Sequence, residues 1–188
     1  MVRTEVATRE QLLDAAARIL AQDGLAGLST RRLANELGVS TMVVYTRFGS
    51  MPELIDGVVT EGFERQVARL TAVKQTKDPV ADLVALGVAY RSNAVNNPHL
   101  YSIMYAGTDE IPNRAEQAKG TLDLLTEAAA RAVAAGALVG KPPVVAAQLL
   151  SAAHGFVSLE LAGVFEAQPK ELDQQFRAML ARFLSRRG

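Results

Sequence analysis

Residues 40–47 combine small hydroxyl, methyl and guanidinium groups in one short run, STMVVYTR. Hydroxyl groups hydrogen-bond to either type of base pair, and Thr or Val methyl groups can contact the methyl group of thymine. A guanidinium group binds phosphate oxygens. This combination suits the surface of duplex DNA, provided that one exposed helix end carries the run.

Two short helices joined by a tight corner are predicted to position this run. The stretch GLSTRRLANELGVSTMVVYTRFGS, residues 27–50, has a helical pattern that breaks at Gly38 and Val39 and restarts at Ser40. One apolar face continues across the corner through Leu33, Ala34, Leu37, Val39, Val44 and Phe48. Such a pair of helices around a short Gly-containing turn is the pattern of a DNA-binding helix-turn-helix. An αα-hairpin without a nucleic-acid role has the same spacing.

The net charge of this 188-residue chain is zero, with 20 Lys and Arg against 20 Asp and Glu. A neutral chain does not coat nucleic acid through bulk charge, so an acidic partner must be bound locally. Residues 29–49 carry Arg31, Arg32 and Arg47 against Glu36 alone. The positive charge is therefore concentrated on the predicted helix-turn-helix.

Cysteine is absent from the chain, which excludes disulfides and thiolate metal sites. The N-terminus lacks a signal-peptide pattern, and no stretch approaches the roughly 20 uninterrupted apolar residues of a membrane span. We therefore expect a cytoplasmic protein with no membrane partner.

Apolar residues recur at helical spacing along nearly the whole chain, and no long run alternates with period two. The predicted fold class is all-α. Capping signals predict helices over about 9–23, 30–37, 40–49, 51–74, 78–96, 98–107, 113–136, 143–166 and 170–186. Predicted capping boxes are Thr8 with Gln11, Ser50 with Glu53, and Asn113 with Glu116.

The segment STRRLANELGVSTMVVYTRFGSMPELI resembles the helix-turn-helix of the tetracycline-repressor (TetR) family of bacterial transcriptional regulators. The preceding REQLLDAAARILAQDGLAGLS resembles that family's first helix, so the similarity covers about residues 9–56. It implies a three-helix DNA-binding domain over 1–52 and a helical ligand-binding and dimerisation domain over 53–188. It also implies a homodimer that binds a palindromic operator in double-stranded DNA.

The same resemblance implies phosphate contacts from Thr30, Arg31, Tyr45 and Thr46, and base contacts from the start of the second short helix. The full set of predicted DNA-binding residues is Thr30, Arg31, Ser40, Thr41, Met42, Val43, Tyr45, Thr46 and Arg47. The sequence departs from the family pattern at Arg47, where His is usual, and at Met51 and Pro52, where Lys-Glu is usual. We expect Arg47 to supply the charge of the missing lysine. The alternatives are a core-packing role for Tyr45 and a solvated surface charge for Arg32.

The segments NNPHLYSIMYAG and HGFVSLELAG resemble one subgroup of the family's C-terminal domains. Aromatic residues, a methionine and a few polar groups on apolar helices suit an apolar cavity with limited hydrogen-bonding capacity. We therefore predict a small, mainly apolar effector. The predicted ligand-binding residues are Tyr90, Tyr101, Met104, Tyr105, His154, Phe156 and Ser158. Core packing is the alternative role for these side chains, and His99, after Pro98, suits a helix start.

The last two predicted helices indicate a homodimer. The final helix has a broad apolar stripe, and the one before it is apolar on nearly all sides, which calls for cover on more than one side. The predicted dimer interface is Leu149, Val157, Leu161, Phe176, Leu180 and Phe183. The alternative is that helices of the same chain bury these residues.

An enzymatic function is not predicted, because the nucleotide-binding, nucleophile-elbow and zinc-protease motifs are all missing and the chain has only two His. No catalytic residue, cofactor or metal site is expected. The sequence favours a ligand-responsive regulator, a repressor in preference to an activator, that releases its operator when the effector binds. The alternative is a helical adaptor without specific DNA binding.

Overall fold

The computed structural model describes residues 7–105 and 114–185, and the regular secondary structure in these ranges is helical. The helices there are α1 (Arg9–Gly27), α2 (Thr30–Leu37), α3 (Thr41–Phe48), α4 (Met51–Thr71), α5 (Pro79–Asn96), α6 (Pro98–Tyr105), α7 (Arg114–Ala134), α8 (Pro142–Leu161) and α9 (Pro169–Leu184). The prediction of an all-α fold is confirmed.

Local hydrogen bonds explain how α1 begins and where it bends. Thr8 and Gln11 form the predicted capping box: the Gln11 amide donates to Thr8 Oγ1 at 3.1 Å, and the Thr8 amide donates to Gln11 Oε1 at 2.8 Å. Gly24, predicted to end the helix, has φ of 67° and interrupts it, and the chain then continues helically to Gly27. The cap predicted at Asn113 lies outside the described residues.

The described chain divides into two compact units. The first contains α1, α2, α3, α4 up to Glu64, α6, and α7 up to Gln117. The second contains α4 from Arg65, α5, α7 from Ala118, α8 and α9. Helices α4 and α7 therefore contribute residues to both units.

In the first unit, the corner between α2 and α3 is fixed by its backbone. Gly38 adopts the left-handed conformation, with φ 65° and ψ 30°, which glycine accommodates without steric cost. The Val39 amide then donates to the Ala34 carbonyl at 2.9 Å, closing the end of α2. Ala34, Leu33, Val44 and Phe48 are all buried, as the continuous apolar face predicted.

In the second unit, α9 lays its apolar stripe against the chain's own helices. Leu172, Phe176, Leu180 and Leu184 recur every four residues and are buried. Leu180 fits against Gly87 of α5, where a Cβ atom would lie 2.6 Å from its Cδ1. A Cβ atom at position 87 would therefore force the Leu180 side chain to shift, because α5 and α9 approach closely at this point.

This packing corrects the predicted dimer interface. The side chains of Leu149, Val157, Phe176 and Leu180 are at most 1% exposed within the single chain. Their assignment to the interface is therefore wrong, because a side chain covered by its own chain cannot contact a second copy. Leu161 and Phe183 are half-buried, and their interface role stays a prediction.

A buried ion pair also joins the helices of the second unit. Arg91 of α5 donates through Nε and Nη2 to the two carboxylate oxygens of Glu160 of α8, at 2.7 and 2.5 Å. Its Nη1 donates to Asp173 of α9 at 3.3 Å. The bidentate geometry fixes the relative register of α5 and α8.

Helix α8 retains a large exposed apolar surface. Val144 is 50% exposed and Leu159 is 46% exposed. By length and composition alone, α8 is the one helix of the described ranges that could cross a membrane, with a mean hydropathy of 1.4. Only 28% of that apolar window is buried in the chain. The face of α8 that carries Val144 and Leu159 is thus exposed in the single chain.

Candidate functional site

The outer face of α3 carries most of the predicted DNA-contacting residues. Helical periodicity places Val44 and Phe48 in the core, and it leaves Thr41, Met42 and Tyr45 exposed together with Ser40, Thr46 and Arg47. Met42 is 69% exposed and Tyr45 is 52% exposed. The core-packing alternative for Tyr45 is therefore wrong. Val43 is half-buried, so it presents less surface than its neighbours.

The hydroxyl groups of the predicted DNA-binding residues differ in whether they already donate a hydrogen bond within the chain. Thr46 Oγ1 donates to the Met42 carbonyl at 2.8 Å, and Thr30 Oγ1 donates to the sulfur of Met51 at 3.3 Å. Ser40 precedes α3 without a side-chain capping bond. Among the predicted hydroxyls, those of Thr46 and Thr30 thus have their single proton engaged within the chain.

The arginines of α1 and of the helix-turn-helix differ in whether an acidic residue of the chain neutralises them. Three of them form ion pairs within the first unit: Arg9 with Glu61 at 3.4 Å, Arg18 with Glu36 at 2.9 Å, and Arg32 with Asp23. Arg31 and Arg47 are exposed and form no ion pair with any described residue. Their positive charges are therefore the uncompensated ones on this surface.

Arg32 has a structural contact that its sequence position did not reveal. Besides its pair with Asp23, its Nη1 donates to the Gly27 carbonyl at 3.2 Å, which ties the end of α1 to α2. Arg32 is thus an exposed surface charge, as the alternative reading expected, and it also forms an ion pair and a hydrogen bond within the chain.

Arg9 is a second residue that sequence analysis missed. Its guanidinium lies 5.6 Å from the centroid of the Phe48 ring and also pairs with Glu61 of α4. One side chain thus joins the start of α1, the end of α3 and the middle of α4. The contact joins residues 52 positions apart, and no local sequence signal indicates it.

Three of the predicted effector residues form a hydrogen-bonded chain in the second unit. Tyr90 Oη lies 3.2 Å from His154 Nδ1, and Ser158 Oγ lies 3.3 Å from His154 Nε2. Burial lowers the pKa of His154, because a charged imidazole loses hydration there. The ring therefore links a phenol on α5 to a hydroxyl one turn along α8.

Phe156 lies in an aromatic cluster of the second unit. Its ring centroid is 4.9 Å from that of Phe165 and 5.2 Å from that of the fully buried Phe176. These separations are typical of favourable aromatic pairs. These contacts agree with the core-packing alternative for Phe156, whose effector role stays a prediction.

The remaining predicted effector residues lie in the first unit. The ring centroids of Tyr101 and Tyr105 are 5.0 Å apart, and Tyr105 lies 5.8 Å from Phe63. Met104 is fully buried against Gly62, where a Cβ atom would be 2.6 Å from its Cγ. The seven predicted residues are therefore divided between the two units, with three in the first unit and four in the second.

A small cleft of about 120 Å³ lies elsewhere in the second unit, and none of the seven residues lines it. At its edge the buried carboxylate of Asp82 accepts bonds from the Thr76 amide and hydroxyl and from Arg131 Nη1 at 3.0 Å. Burial raises the pKa of Asp82, but these bonds and the Arg131 charge outweigh burial and hold the pKa below its usual value. The network fixes the α4–α5 connection to α7.

Comparison with known families matches both parts of the chain. Residues 12–58 match the bacterial regulatory proteins of the tetR family, and residues 83–183 match the tetracyclin repressor-like C-terminal domain. A search of curated proteins finds no significant match.

Several solved structures share the fold. A protein of unknown function from Rhodococcus sp. RHA1 is 27% identical with a TM-score of 0.79, over 98% of this chain and 97% of that one. The TetR family regulator PfmR from Thermus thermophilus is 20% identical with a TM-score of 0.77, over 97% and 99%. AibR, solved with isovaleryl coenzyme A and operator DNA, is 18% identical with a TM-score of 0.74, over 94% and 98%.

Proposed function

Because this chain belongs to the tetR family of bacterial regulatory proteins, it is a ligand-responsive DNA-binding transcriptional regulator, and we propose that it acts as a homodimeric repressor. In this proposal, residues 1–52 bind the operator, and residues 53–188 bind the effector and the second protomer. The protein acts in the cytoplasm and has no catalytic role.

The observation that carries the DNA-binding assignment is the outer face of α3. Thr41, Met42 and Tyr45 are exposed there, and the unpaired Arg47 lies in the last turn of the same helix. Exposed apolar and aromatic side chains beside an uncompensated guanidinium suit a helix that enters the major groove. Arg31, at the start of α2, adds a second unpaired cation for the phosphate backbone.

Capture of duplexes from a randomised pool by the purified protein tests this assignment. We expect one palindromic sequence to be enriched, with half-sites spaced for two recognition helices about 34 to 36 Å apart. Enrichment of no sequence would favour the helical adaptor.

We propose that the homodimer forms through the exposed face of α8 and the adjoining surface of α9. Val144 and Leu159 lie on this face, and the small residues Ala147, Ser151 and Gly155 between them permit close helix approach. Next to it lies a groove of about 540 Å³, lined by Leu138, Val139, Val145, Ala147, Gln148, Ser151, Phe183 and Leu184. A second copy of α8 and α9 would cover both features.

Light scattering at micromolar concentration tests the dimer. The wild-type protein should have twice the mass of one chain, whose mass is 20.1 kDa. A monomer at that concentration would contradict the proposal.

We propose that a small, mainly apolar effector binds the C-terminal region. The Tyr90–His154–Ser158 chain supplies the limited hydrogen bonding, and aromatic residues supply apolar surface. That AibR was solved with both an acyl-coenzyme A and operator DNA supports a ligand and an operator acting on this fold. Tyr101, Met104, Tyr105 and Phe156 remain candidates from the sequence.

Release of the operator requires that the effector bind one conformation of the protein more tightly than the other. A ligand with equal affinity for both would not shift the equilibrium, however tightly it bound. Helix α4 contributes residues to both units, so one continuous helix connects the proposed effector-binding and operator-binding regions. Operator-binding assays with a panel of small apolar acids, aromatic compounds and acyl thioesters test the proposal. We expect one class to reduce operator affinity.

A further inference from the structure

The outer face of α3 lacks most of the side chains that form bidentate hydrogen bonds with bases. Discrimination of guanine relies chiefly on Arg or Lys, and that of adenine on Asn or Gln. Helix α3 has the sequence TMVVYTRF, in which Arg47 is the one such residue and lies in the last turn. Arg47 is five residues beyond Met42, or about 7.5 Å along the helix axis. The N-terminal half of α3 therefore offers hydroxyl and apolar groups only.

Met42 is the most exposed apolar residue of this half, at 69%. A long, unbranched thioether costs free energy when it stands in water, and it adapts readily to an apolar partner. In the major groove the apolar partner that a base pair offers is the 5-methyl group of thymine. An exposed Met42 is therefore suited to contact such a methyl group.

Thr46 lies four residues after Met42 and on the same helix face. Its hydroxyl donates to the Met42 carbonyl at 2.8 Å, so its proton is unavailable to a phosphate oxygen or to a base acceptor. Thr46 is exposed, and its hydroxyl oxygen is left to act as an acceptor only. Met42 and Thr46 therefore form an exposed row on one face of α3, and each side chain carries a methyl group.

We propose that the Met42–Thr46 row recognises the 5-methyl groups of thymine, so that each operator half-site contains a thymine whose methyl group contributes to affinity. The proposal rests on the DNA-binding function and specifies which base the protein prefers beneath α3. It assigns the phosphate contacts to Arg31 and Arg47 and most of the base discrimination to apolar contact.

The test is replacement of thymine by deoxyuridine, which removes the methyl group and keeps the base pair. Starting from the captured operator, each thymine of the half-site is replaced in turn, symmetrically in both halves. At the one or two positions beneath α3, we expect Kd to rise about fourfold per methyl group, and about fifteenfold for a symmetrical pair. Replacements outside the α3 contact should leave Kd unchanged.

Two variants identify the side chain responsible. Met42→Ala should weaken binding to the thymine operator and bind the deoxyuridine operator with nearly the same Kd, because the contact is then lost in both. Arg47→Ala should weaken binding to the two operators by the same factor. Both residues are exposed, and an unchanged unfolding temperature would establish that the variants fold.

The outcomes are distinguishable. A wild-type protein that binds one sequence specifically, but tolerates deoxyuridine at every position, would overturn this inference and leave the DNA-binding function intact. An equal deoxyuridine effect in Met42→Ala and the wild type would overturn the role of Met42. Failure to bind any duplex would refute both the inference and the function on which it rests.

Discussion

The division of the helix-turn-helix arginines into paired and unpaired ones predicts the salt dependence of operator binding. Arg47 is exposed and has no ion-pair partner in the described chain, whereas Arg32 is paired with Asp23 and bound to the Gly27 carbonyl. Only an unpaired guanidinium is free to replace a counterion at a DNA phosphate. Arg47→Ala should therefore flatten the salt dependence, and Arg32→Ala should not.

The magnitude follows from counterion release. Each lost phosphate contact reduces the slope of log K against log salt by about 0.9, so a dimer that loses Arg47 from both protomers changes by about 1.8. When salt rises from 50 to 200 mM, affinity falls by some factor for each protein. That factor should be about twelvefold smaller for the variant than for the wild type.

Fluorescence anisotropy with a labelled operator, measured at four or more salt concentrations in this range, gives both slopes. Arg32→Ala is the matched control, because it removes the same charge from the same domain, and thermal unfolding verifies that it folds. Equal slopes for Arg47→Ala and the wild type would refute the phosphate role of Arg47. A flatter slope for Arg32→Ala than for Arg47→Ala would refute the argument from ion pairing.

Three further predictions concern the second unit. Leu159→Glu should give soluble monomers by light scattering, because Leu159 is 46% exposed. Leu180→Glu should instead unfold the chain, because Leu180 is fully buried. A folded monomer of the Leu180 variant would contradict this core assignment. Asp82 has a lowered pKa in the folded state, so its contribution to stability is present above the unfolded value of 3.8 and is lost as pH falls through the folded pKa. The acid unfolding of Asp82→Asn should consequently depend less on pH than that of the wild type, and parallel curves would exclude the effect. Ser158→Phe should alter the effector response in operator-release assays while operator affinity without effector changes little; loss of operator affinity alone would place Ser158 outside the effector site.

Buried Phe176 and exposed Leu159 illustrate why the dimer surface could not be assigned from the sequence. Both belong to strongly apolar helices, and a helix that is apolar on many sides does not indicate which side faces its own chain. Gly87, Arg91 and Phe156 contact the apolar stripe of α9, which is the stripe that the sequence assigns to a dimer interface. The number and type of apolar residues were informative, but the partner of each face depends on how α5, α8 and α9 pack.

The sequence by itself determined the helices, the Thr8 capping box, the Gly38 corner and the exposed face of α3. These features depend on residues at most a few positions apart, where backbone hydrogen bonds and helical periodicity act. Only the tertiary structure decided which arginines are neutralised, since Arg9 pairs with Glu61 and Arg18 with Glu36 across 52 and 18 positions. It likewise brought together Tyr90 and His154, which are 64 positions apart. Such pairs form because folding places separate helices side by side, and no local pattern in the chain encodes that placement.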